Sequence, residues 1–299
     1  MTPVAPGSPG ATPVTAGRRL RLLAASSHPG PSALVTVLAV VLSVALGHGP
    51  GRVVVVGLAV LAGQLAIGLA NDWLDADRDR AVGRTDKPVA RGDLPARAVR
   101  DAAAICLAVS LVVSFALGPL AGVAHTVLVL SGLAYDAVLK RTAASVVPFV
   151  VSFGLLPAVV TLASAQPAAP AVWAVGTGAL FGVAVHFTNV LPDLDDDAAT
   201  GVSGLPHRLG RVRTGVVAFT SLLAAGALVV VGNVRGPRPE DPVVSFLPLL
   251  GAVLVMGLAA VGVRLAIWRP PSRTTFRLVM AAALLLALSL GLSGEHLVA

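Results

Sequence analysis

Nine long apolar segments, separated by short polar loops, dominate this chain of 299 residues. Each segment is about 17–23 residues long, which lets a helix cross a hydrocarbon core of roughly 30 Å at about 1.5 Å per residue. Because only 12% of the residues are charged and 56% are hydrophobic, the chain lacks the polar surface of a water-soluble domain. The predicted spans are residues 32–48, 52–71, 99–117, 120–136, 144–163, 171–191, 214–232, 244–266 and 276–293.

These apolar segments predict an all-α integral membrane domain over residues 31–299. A spanning segment must satisfy its own backbone polar groups, and continuous apolar runs are typical of helices rather than of alternating barrel strands. Residues 1–30 are rich in Pro, Gly, Ala and Thr and contain three arginines, so we expect a mobile, basic N-terminal tail. A Ser-Ser-His-Pro-Gly-Pro segment separates the arginines from the first apolar run, which argues against a cleaved signal peptide.

The basic residues predict the orientation of the chain in the membrane. With a cytoplasmic N-terminus and alternating loops, all but three of the 22 Lys and Arg residues lie on the cytoplasmic side. This bias predicts a multi-pass protein of the cell's inner or plasma membrane. Since the basic residues are divided among loops, we expect no nucleic-acid partner. The single cysteine, Cys106, excludes an intrachain disulfide.

An acidic cluster lies at the cytoplasmic end of the second predicted span. Asp72, Asp75 and Asp79 are spaced i, i+3 and i+7, so a continuing helix places them on one stripe. Asn71 borders this stripe, whereas Asp77 is expected to point away from it. Most other acidic residues also lie outside the predicted spans.

A second acidic cluster follows the sixth predicted span. Asn189, Asp193 and Asp197 are spaced by four residues and form a second helical stripe, which His186 continues into the membrane. Like charges at this spacing repel each other, so each stripe needs a counter-ion. Carboxylate and amide oxygens suit Mg²⁺, which commonly shares its coordination shell with substrate phosphates.

Basic residues near the two clusters can balance the remaining charge of a diphosphate. Those that the sequence offers are Arg84, Lys87, Lys140 and Arg208. Carboxylates, a divalent cation and basic side chains at a membrane surface together predict a site for a lipid diphosphate.

Both clusters and one further element resemble motifs of the UbiA-type intramembrane prenyltransferases. The two acidic motifs are Asn71-Asp72-x-x-Asp75-x-x-x-Asp79 and Asp193-x-x-x-Asp197. Tyr135 and Lys140 are similar to the family's Tyr…Lys element after the fourth helix, although many members have a spacing of four residues rather than five. The resemblance implies nine transmembrane helices around a central cavity that opens at the cytoplasmic side, with the acidic motifs facing each other at its mouth.

The resemblance also implies roles for individual residues. The catalytic carboxylates would be Asp72, Asp75, Asp193 and Asp197. The Mg²⁺ ligands would be Asn71, Asp72, Asp75, Asp79, Asp193 and Asp197. By the resemblance, the substrate-binding residues would be Asn71, Lys87, Tyr135, Lys140 and Arg208. The sequence itself adds Arg84, a basic residue near the first cluster, and His186 and Asn189, polar residues within a predicted span. The aromatic side chains that could shield a carbocation are Trp73, Phe149, Phe153, Phe181 and Phe187.

The resulting expectation is a Mg²⁺-dependent enzyme that transfers an isoprenoid chain from a prenyl diphosphate donor. The acceptor would be an aromatic molecule, a quinone precursor or another small lipophilic molecule within the lipid bilayer. A membrane terpene cyclase of the same family, whose carbocation closes on its own chain, is an alternative. A transporter with acidic ion sites is more distant, because ion pathways need charges deep in the spans.

Overall fold

The computed structural model describes residues 15–194, 201–235, 242–269 and 273–299, and these ranges contain helices but no β-sheet. The helices are α1 (Ala16–Ser26), α2 (Pro29–Ala45), α3 (Pro50–Leu74), α4 (Ala76–Ala81), α5 (Ala96–Ala116), α6 (Pro119–Ala137), α7 (Val147–Leu162), α8 (Val172–Val190), α9 (Leu205–Leu209), α10 (Arg211–Arg235), α11 (Pro242–Trp268) and α12 (Arg273–Leu292). Short 3₁₀ helices cover Leu139–Arg141, Ala143–Val146, Leu191–Asp193 and Gly294–Leu297.

Helices of the apolar segments begin at signals that can be read in the sequence. Pro29, Pro50 and Pro119 occupy the first turns of α2, α3 and α6. Backbone N–H groups in a first turn have no partner within the helix, so the missing N–H of proline costs no hydrogen bond there. Gly118 separates α5 from α6 with a φ of 117°, a backbone conformation that residues with a Cβ rarely adopt. These local signals explain why the helix starts lie within a few residues of the predicted span boundaries.

Among the residues that the structure describes, six helical segments are long and apolar enough to cross a membrane. They are Pro50–Leu74, Ala96–Ala116, Pro119–Ala137, Ala143–Leu162, Arg211–Arg235 and Phe246–Trp268. The pair α1 and α2, bent by 73°, would add a seventh span if it is counted as one broken helix. The all-helical, multi-pass character predicted from the sequence is therefore present in the described part of the chain.

The long helices pack in a ring. Going around it, α2 contacts α3, α3 contacts α6, and α6 contacts α7, which packs on α8. The ring continues through α10, α11 and α12, and α12 returns to α2. Helix α5 packs outside the ring against α3 and α6. A closed ring of this kind leaves room for a cavity among α2, α3, α6, α7 and α8.

Helix α1 forms within the segment for which the sequence predicts a mobile tail. The Thr15 side chain accepts a hydrogen bond from the Arg18 backbone N–H and caps the helix. Leu22 and Leu23 pack on a buried cluster formed by α3, α5 and the loop between them. After α1 the chain lies directly on α3, because a Cβ added to Gly68 would approach the Ser27 carbonyl oxygen to 2.3 Å. Residues 15–30 are therefore part of the folded domain.

Helices α7 and α8 make backbone-to-backbone contact at two glycines of α8. A Cβ added to Gly178 would lie 2.2 Å from the Phe153 carbonyl oxygen, and one added to Gly182 would lie 2.2 Å from that of Phe149. Small residues at such positions let membrane helices approach closely. The contact fixes the part of α7 that carries both phenylalanines.

We expect Gly178→Ala to destabilise the protein by about 1–3 kcal/mol, because α7 and α8 would have to separate to admit the methyl group. The measurement is thermal unfolding of the purified protein in a mild detergent. Gly257→Ala is the control, since an added Cβ there meets no atom within 4 Å and alanine favours a helix. Equal stability of the two variants would contradict the close packing of α7 on α8.

Candidate active site

The first acidic cluster forms the predicted stripe at the end of α3. Asp72, Asp75 and Asp79 are each only 2% exposed, whereas the Asp77 side chain is 98% exposed. Helix α3 ends at Leu74 and α4 begins at Ala76, but Asp75 between them keeps a near-helical backbone. The three buried carboxylates therefore face the same side despite the break.

Basic side chains neutralise these carboxylates. Lys87 Nζ lies 3.0 Å from Asp72 Oδ1 and 2.9 Å from Asp79 Oδ2. Lys140 Nζ lies 2.5 Å from Asp75 Oδ1, and Arg78 donates to Asp75 Oδ2 at 3.0 Å. Such charge-assisted contacts offset the cost of burying the carboxylates.

The pKa of Lys87 reflects this pairing. Burial alone would lower its pKa, but the carboxylates of Asp72 and Asp79 outweigh burial and raise the pKa above the ordinary value. Lys87 therefore stays positively charged and is suited to binding an anionic ligand near the cluster.

The five-residue spacing of Tyr135 and Lys140 is accommodated by a break after α6. In a continuous helix, residues five apart would point about 140° away from each other. Helix α6 ends at Ala137, Val138 leaves the helical conformation, and the 3₁₀ helix Leu139–Arg141 turns the chain. Lys140 consequently points inward, is 5% exposed and reaches Asp75.

Two contacts of the first cluster were missed by the sequence analysis. His28 Nε2 lies 3.2 Å from Asp72 Oδ1, and His28 adopts a left-handed backbone with a φ of 52°. Asp136, at the end of α6, is buried and accepts a 2.8 Å hydrogen bond from Asn71 Nδ2. The only sequence signals were a histidine before a proline and a carboxylate at the edge of an apolar run.

Two adjoining cavities lie beside this cluster, and of its buried carboxylates Asp75 lines the polar cavity whereas Asp72 and Asp79 line neither. A polar cavity of about 190 Å³ is lined by Asp75, Arg78, Arg84, Lys87, Lys140, His186 and His207, among other residues. A more apolar cavity of about 250 Å³ is lined mainly by α2, α3, α6 and α7. Four residues line both cavities: His28, Asn71, Tyr135 and Asn189. A molecule with a charged head group and an apolar tail could therefore occupy both cavities.

The second cluster is described only in part. Asn189 lines both cavities, and buried His186 forms a 3.0 Å hydrogen bond with Ser145. The Asp193 backbone ends a 3₁₀ helix, but its side chain and the whole of Asp197 lie outside the described residues. The prediction that the two acidic motifs face each other therefore involves side chains that lie outside the described residues, and it stays a prediction.

Arg84 and Arg208, two basic residues predicted for the site, differ in their position relative to the cavities. Arg84 lines the polar cavity and donates two 2.8 Å hydrogen bonds to Asp86, whose pKa they lower to about 2. Arg208 is exposed, donates to the Ser203 carbonyl oxygen and is not among the residues that line either cavity. The structure therefore places Arg84, but not Arg208, at the cavity.

The aromatic candidates are divided between the cavity wall and the surface. Phe149 and Phe153 line the apolar cavity, and the Phe149 ring centroid lies 5.0 Å from that of Tyr135. Phe181 and Phe187 are buried behind this wall, where Phe181 packs on Phe153 and Phe187 packs on His186. Trp73 is 38% exposed and lines neither cavity, so the expectation that it could shield a carbocation is wrong.

The donor chemistry of the polar cavity suits a hard divalent cation. Within the described residues, no three His, Cys, Asp or Glu side chains converge as a ready-made metal site, because ammonium and guanidinium groups hold the carboxylates. The oxygen donors at the cavity wall are the Asp75 carboxylate, the Tyr135 hydroxyl and the side-chain amides of Asn71 and Asn189, and the imidazoles of His28, His186 and His207 line the same cavity. Oxygen donors of this kind fit Mg²⁺.

Comparisons with known proteins agree with this architecture. The sequence model of the UbiA prenyltransferase family matches residues 32–278. The 33 kDa chain of bacteriochlorophyll synthase from Cereibacter sphaeroides is 31% identical over 210 residues, which cover 66% of this chain and 69% of that protein.

Solved structures share the fold at low sequence identity. A UbiA homolog from Archaeoglobus fulgidus, bound to GPP and Mg²⁺, has a TM-score of 0.68 and 15% identity, covering 91% of this chain and 99% of its own. An apo UbiA homolog from Aeropyrum pernix K1 has a TM-score of 0.65 and 19% identity, covering 87% and 96%. Since the family model matches most of the sequence, this chain belongs to the UbiA prenyltransferase family.

Proposed function

We propose that this protein transfers an isoprenoid chain from a prenyl diphosphate to a lipophilic acceptor inside the membrane, with Mg²⁺ as cofactor. The observation that carries the proposal is the pair of adjoining cavities, one charged and one apolar, which share four lining residues. The diphosphate would occupy the polar cavity, and the prenyl chain would extend into the apolar one. The Archaeoglobus homolog, with structures bound to Mg²⁺ and either GPP or DMAPP, supports this assignment.

The membrane arrangement that we propose is nine spans with a cytoplasmic N-terminus. The polar cavity would then open to the cytoplasm, where water-soluble diphosphate and Mg²⁺ are available. The loop between α4 and α5 supports this orientation, because it carries Lys87 beside the cluster and two further basic residues, Arg84 and Arg91.

In the proposed reaction, the basic side chains hold the leaving diphosphate. Lys87, Lys140 and Arg78 each contact the carboxylate cluster and line the polar cavity, so an anion placed there is within their reach. Negative charge grows on the diphosphate as its C–O bond breaks, and cations positioned there stabilise the transition state more than the ground state.

The carboxylates and amides would hold the cation. Asp72, Asp75 and Asp79 on the first stripe, with Asn71 beside them, would bind Mg²⁺ once the lysines turn to the diphosphate. Asp193 and Asp197 would contribute from the second motif, as the family resemblance implies. Bound Mg²⁺ supplies a further positive charge next to the departing diphosphate.

The apolar cavity would protect the allylic carbocation from water. Phe149, Phe153 and Tyr135 provide ring faces and edges along its wall. Aromatic faces attract cations, and exclusion of water prevents hydrolysis of a reactive intermediate. The same wall gives the acceptor a place next to the cation.

The test is incubation of the purified protein in lipid nanodiscs with GPP, Mg²⁺ and a lipid extract. We expect diphosphate release together with a prenylated product detected by mass spectrometry, complete loss on chelation with EDTA, and recovery on adding Mg²⁺. Activity that resists chelation would overturn the metal assignment. Release with a cyclic hydrocarbon or alcohol, in place of a prenylated acceptor, would identify a terpene cyclase, and no release would contradict both reactions.

A further inference from the structure

A third cavity continues the line formed by the polar and the apolar cavity. It is lined by apolar residues and glycine, has a volume of about 30 Å³, and is called the deep cavity below. Helix α8 shows the order: Asn189 lines the polar and the apolar cavity, Val185 the apolar one and Phe181 the deep one. Helix α2 gives the same order, since His28 lines the first two cavities and Leu42 the third. The deep cavity therefore lies beyond the apolar cavity, away from the polar one.

Two side chains of α7 separate the deep cavity from the apolar cavity. Of the described residues that line the apolar cavity, Phe153 and Leu156 also line the deep cavity, and we call these two side chains the partition. The Phe153 ring meets the Phe181 ring edge-on, with the centroids 5.2 Å apart. A volume of 30 Å³ holds only about two or three water molecules, which is less than an isoprene unit needs. The partition therefore ends the space that a prenyl chain can enter.

The backbone that carries the partition is held in place by α8. Pro157 lies inside α7 and has no N–H, so the Phe153 carbonyl four residues before it receives no helical hydrogen bond. Gly178 allows the backbone of α8 to lie against this same carbonyl. Moving the partition aside would disturb the close packing of α7 on α8, so a chain that needs more space would bind at a cost in free energy.

The apolar cavity has the length of a short prenyl chain. Phe149, whose ring centroid lies 5.0 Å from that of Tyr135 at the junction of the two larger cavities, precedes Leu156 by seven residues. Seven residues span about 10 Å along a helix. An isoprene unit extends a chain by about 5 Å, because it adds four C–C bonds of about 1.5 Å in a zigzag. Two units therefore fill the cavity, and a third would meet the partition.

We propose that Phe153, together with Leu156, determines the length of the donor and limits it to two isoprene units. The partition acts by excluding longer chains rather than by attracting short ones. This inference rests on the proposed prenyl transfer and narrows its donor class. The alternative is that a longer chain leaves the apolar cavity between two helices and enters the lipid, in which case Phe153 has no influence on length.

The experiment compares kcat/KM for diphosphate release from GPP and from geranylgeranyl diphosphate, GGPP. The two donors share the diphosphate and the reacting carbon, and GGPP has four isoprene units instead of two. The purified full chain is used in nanodiscs with Mg²⁺ and a lipid extract. We expect the wild type to prefer GPP by about tenfold or more, since a chain that overfills an apolar pocket loses binding energy in the transition state. Equal use of both donors, or a preference for GGPP, would overturn the proposal.

Phe153→Ala tests the partition directly, because it joins the apolar cavity to the deep cavity. The ratio of kcat/KM for GGPP to that for GPP should rise about tenfold or more, and Leu156→Ala should change the ratio in the same direction. Phe149→Ala is the matched control: it removes a ring from the same cavity but does not line the deep cavity. It should lower kcat/KM for both donors alike and keep the wild-type ratio. An unchanged ratio in Phe153→Ala and Leu156→Ala would refute the role.

Refilling the deep cavity should reverse the change. Ala287 of α12 is buried and lines the deep cavity, so Ala287→Phe places a ring in the space that Phe153→Ala opens. The double variant should prefer GPP again, and thermal unfolding in detergent shows whether it is folded. A folded double variant that still favours GGPP would show that the longer chain lies elsewhere and would overturn the proposal.

The two donors also separate this proposal from the one on which it rests. No release from either donor by the wild type would refute the proposed prenyl transfer. Mg²⁺-dependent release from GPP, with a ratio that Phe153→Ala does not change, would refute the partition alone.

Discussion

Replacing Asp72 with asparagine is expected to lower Mg²⁺-dependent diphosphate release from GPP by about 10²–10³-fold. Asp72 is buried, and its Oδ1 lies within 3.2 Å of both Lys87 Nζ and His28 Nε2. Asparagine has nearly the same size as aspartate but lacks its negative charge. That charge attracts Lys87 and His28 and would bind Mg²⁺. The measurement is the rate of diphosphate release by the purified variant in nanodiscs.

Asp77→Asn is the matched control, because Asp77 belongs to the same acidic run but its side chain is 98% exposed and pairs with Arg80. It should keep wild-type activity, since exposed ion pairs contribute little. Full activity of Asp72→Asn would remove the basis for a metal site on α3. Equal losses in both variants would show that overall negative charge, rather than the buried stripe, matters.

Replacing Lys140 with methionine is expected to reduce kcat/KM for the donor by about 10²-fold. The ammonium group is buried, contacts Asp75 and lines the polar cavity, so methionine would remove a cation from the position that we propose for the diphosphate. Methionine retains much of the length of the side chain, which limits the loss of packing. Steady-state kinetics with varied GPP at saturating Mg²⁺ measure the effect.

Arg141→Met provides the control for charge, because Arg141 is the next residue and is exposed. Its kcat/KM should stay close to that of the wild type. A Lys140→Met enzyme with unchanged kinetics would show that the 3₁₀ turn after α6 does not bring a functional cation to the site.

The helices and the first acidic stripe could be predicted because both depend on local periodicity. The apolar runs give the positions of the helices, and the spacing of Asp72, Asp75 and Asp79 gives their common face. The stripe persists in the structure because Asp75 stays near the helical conformation where α3 gives way to α4. Exposure of Asp77 follows from the same periodicity.

The remaining features depend on contacts between distant parts of the chain. His28 meets Asp72 across 44 positions, and Asn71 meets Asp136 across 65. The inward position of Lys140 depends on how α6 ends, and helix boundaries are the least predictable part of a sequence. Helix α1 was overlooked because its arginines and the preceding Pro- and Gly-rich residues suggest a tail, whereas its leucines pack on distant helices.

The position of the cations along the chain has a consequence for biosynthesis. Arg78, within the acidic run, and Lys87, shortly after it, can pair with the three buried carboxylates, Asp72, Asp75 and Asp79. These partners emerge from the ribosome before α5, whereas Lys140 is synthesised 65 residues after Asp75. The nascent chain therefore already contains cations that neutralise these carboxylates while α3 enters the bilayer. The carboxylates are paired at the lipid boundary before the later helices are synthesised.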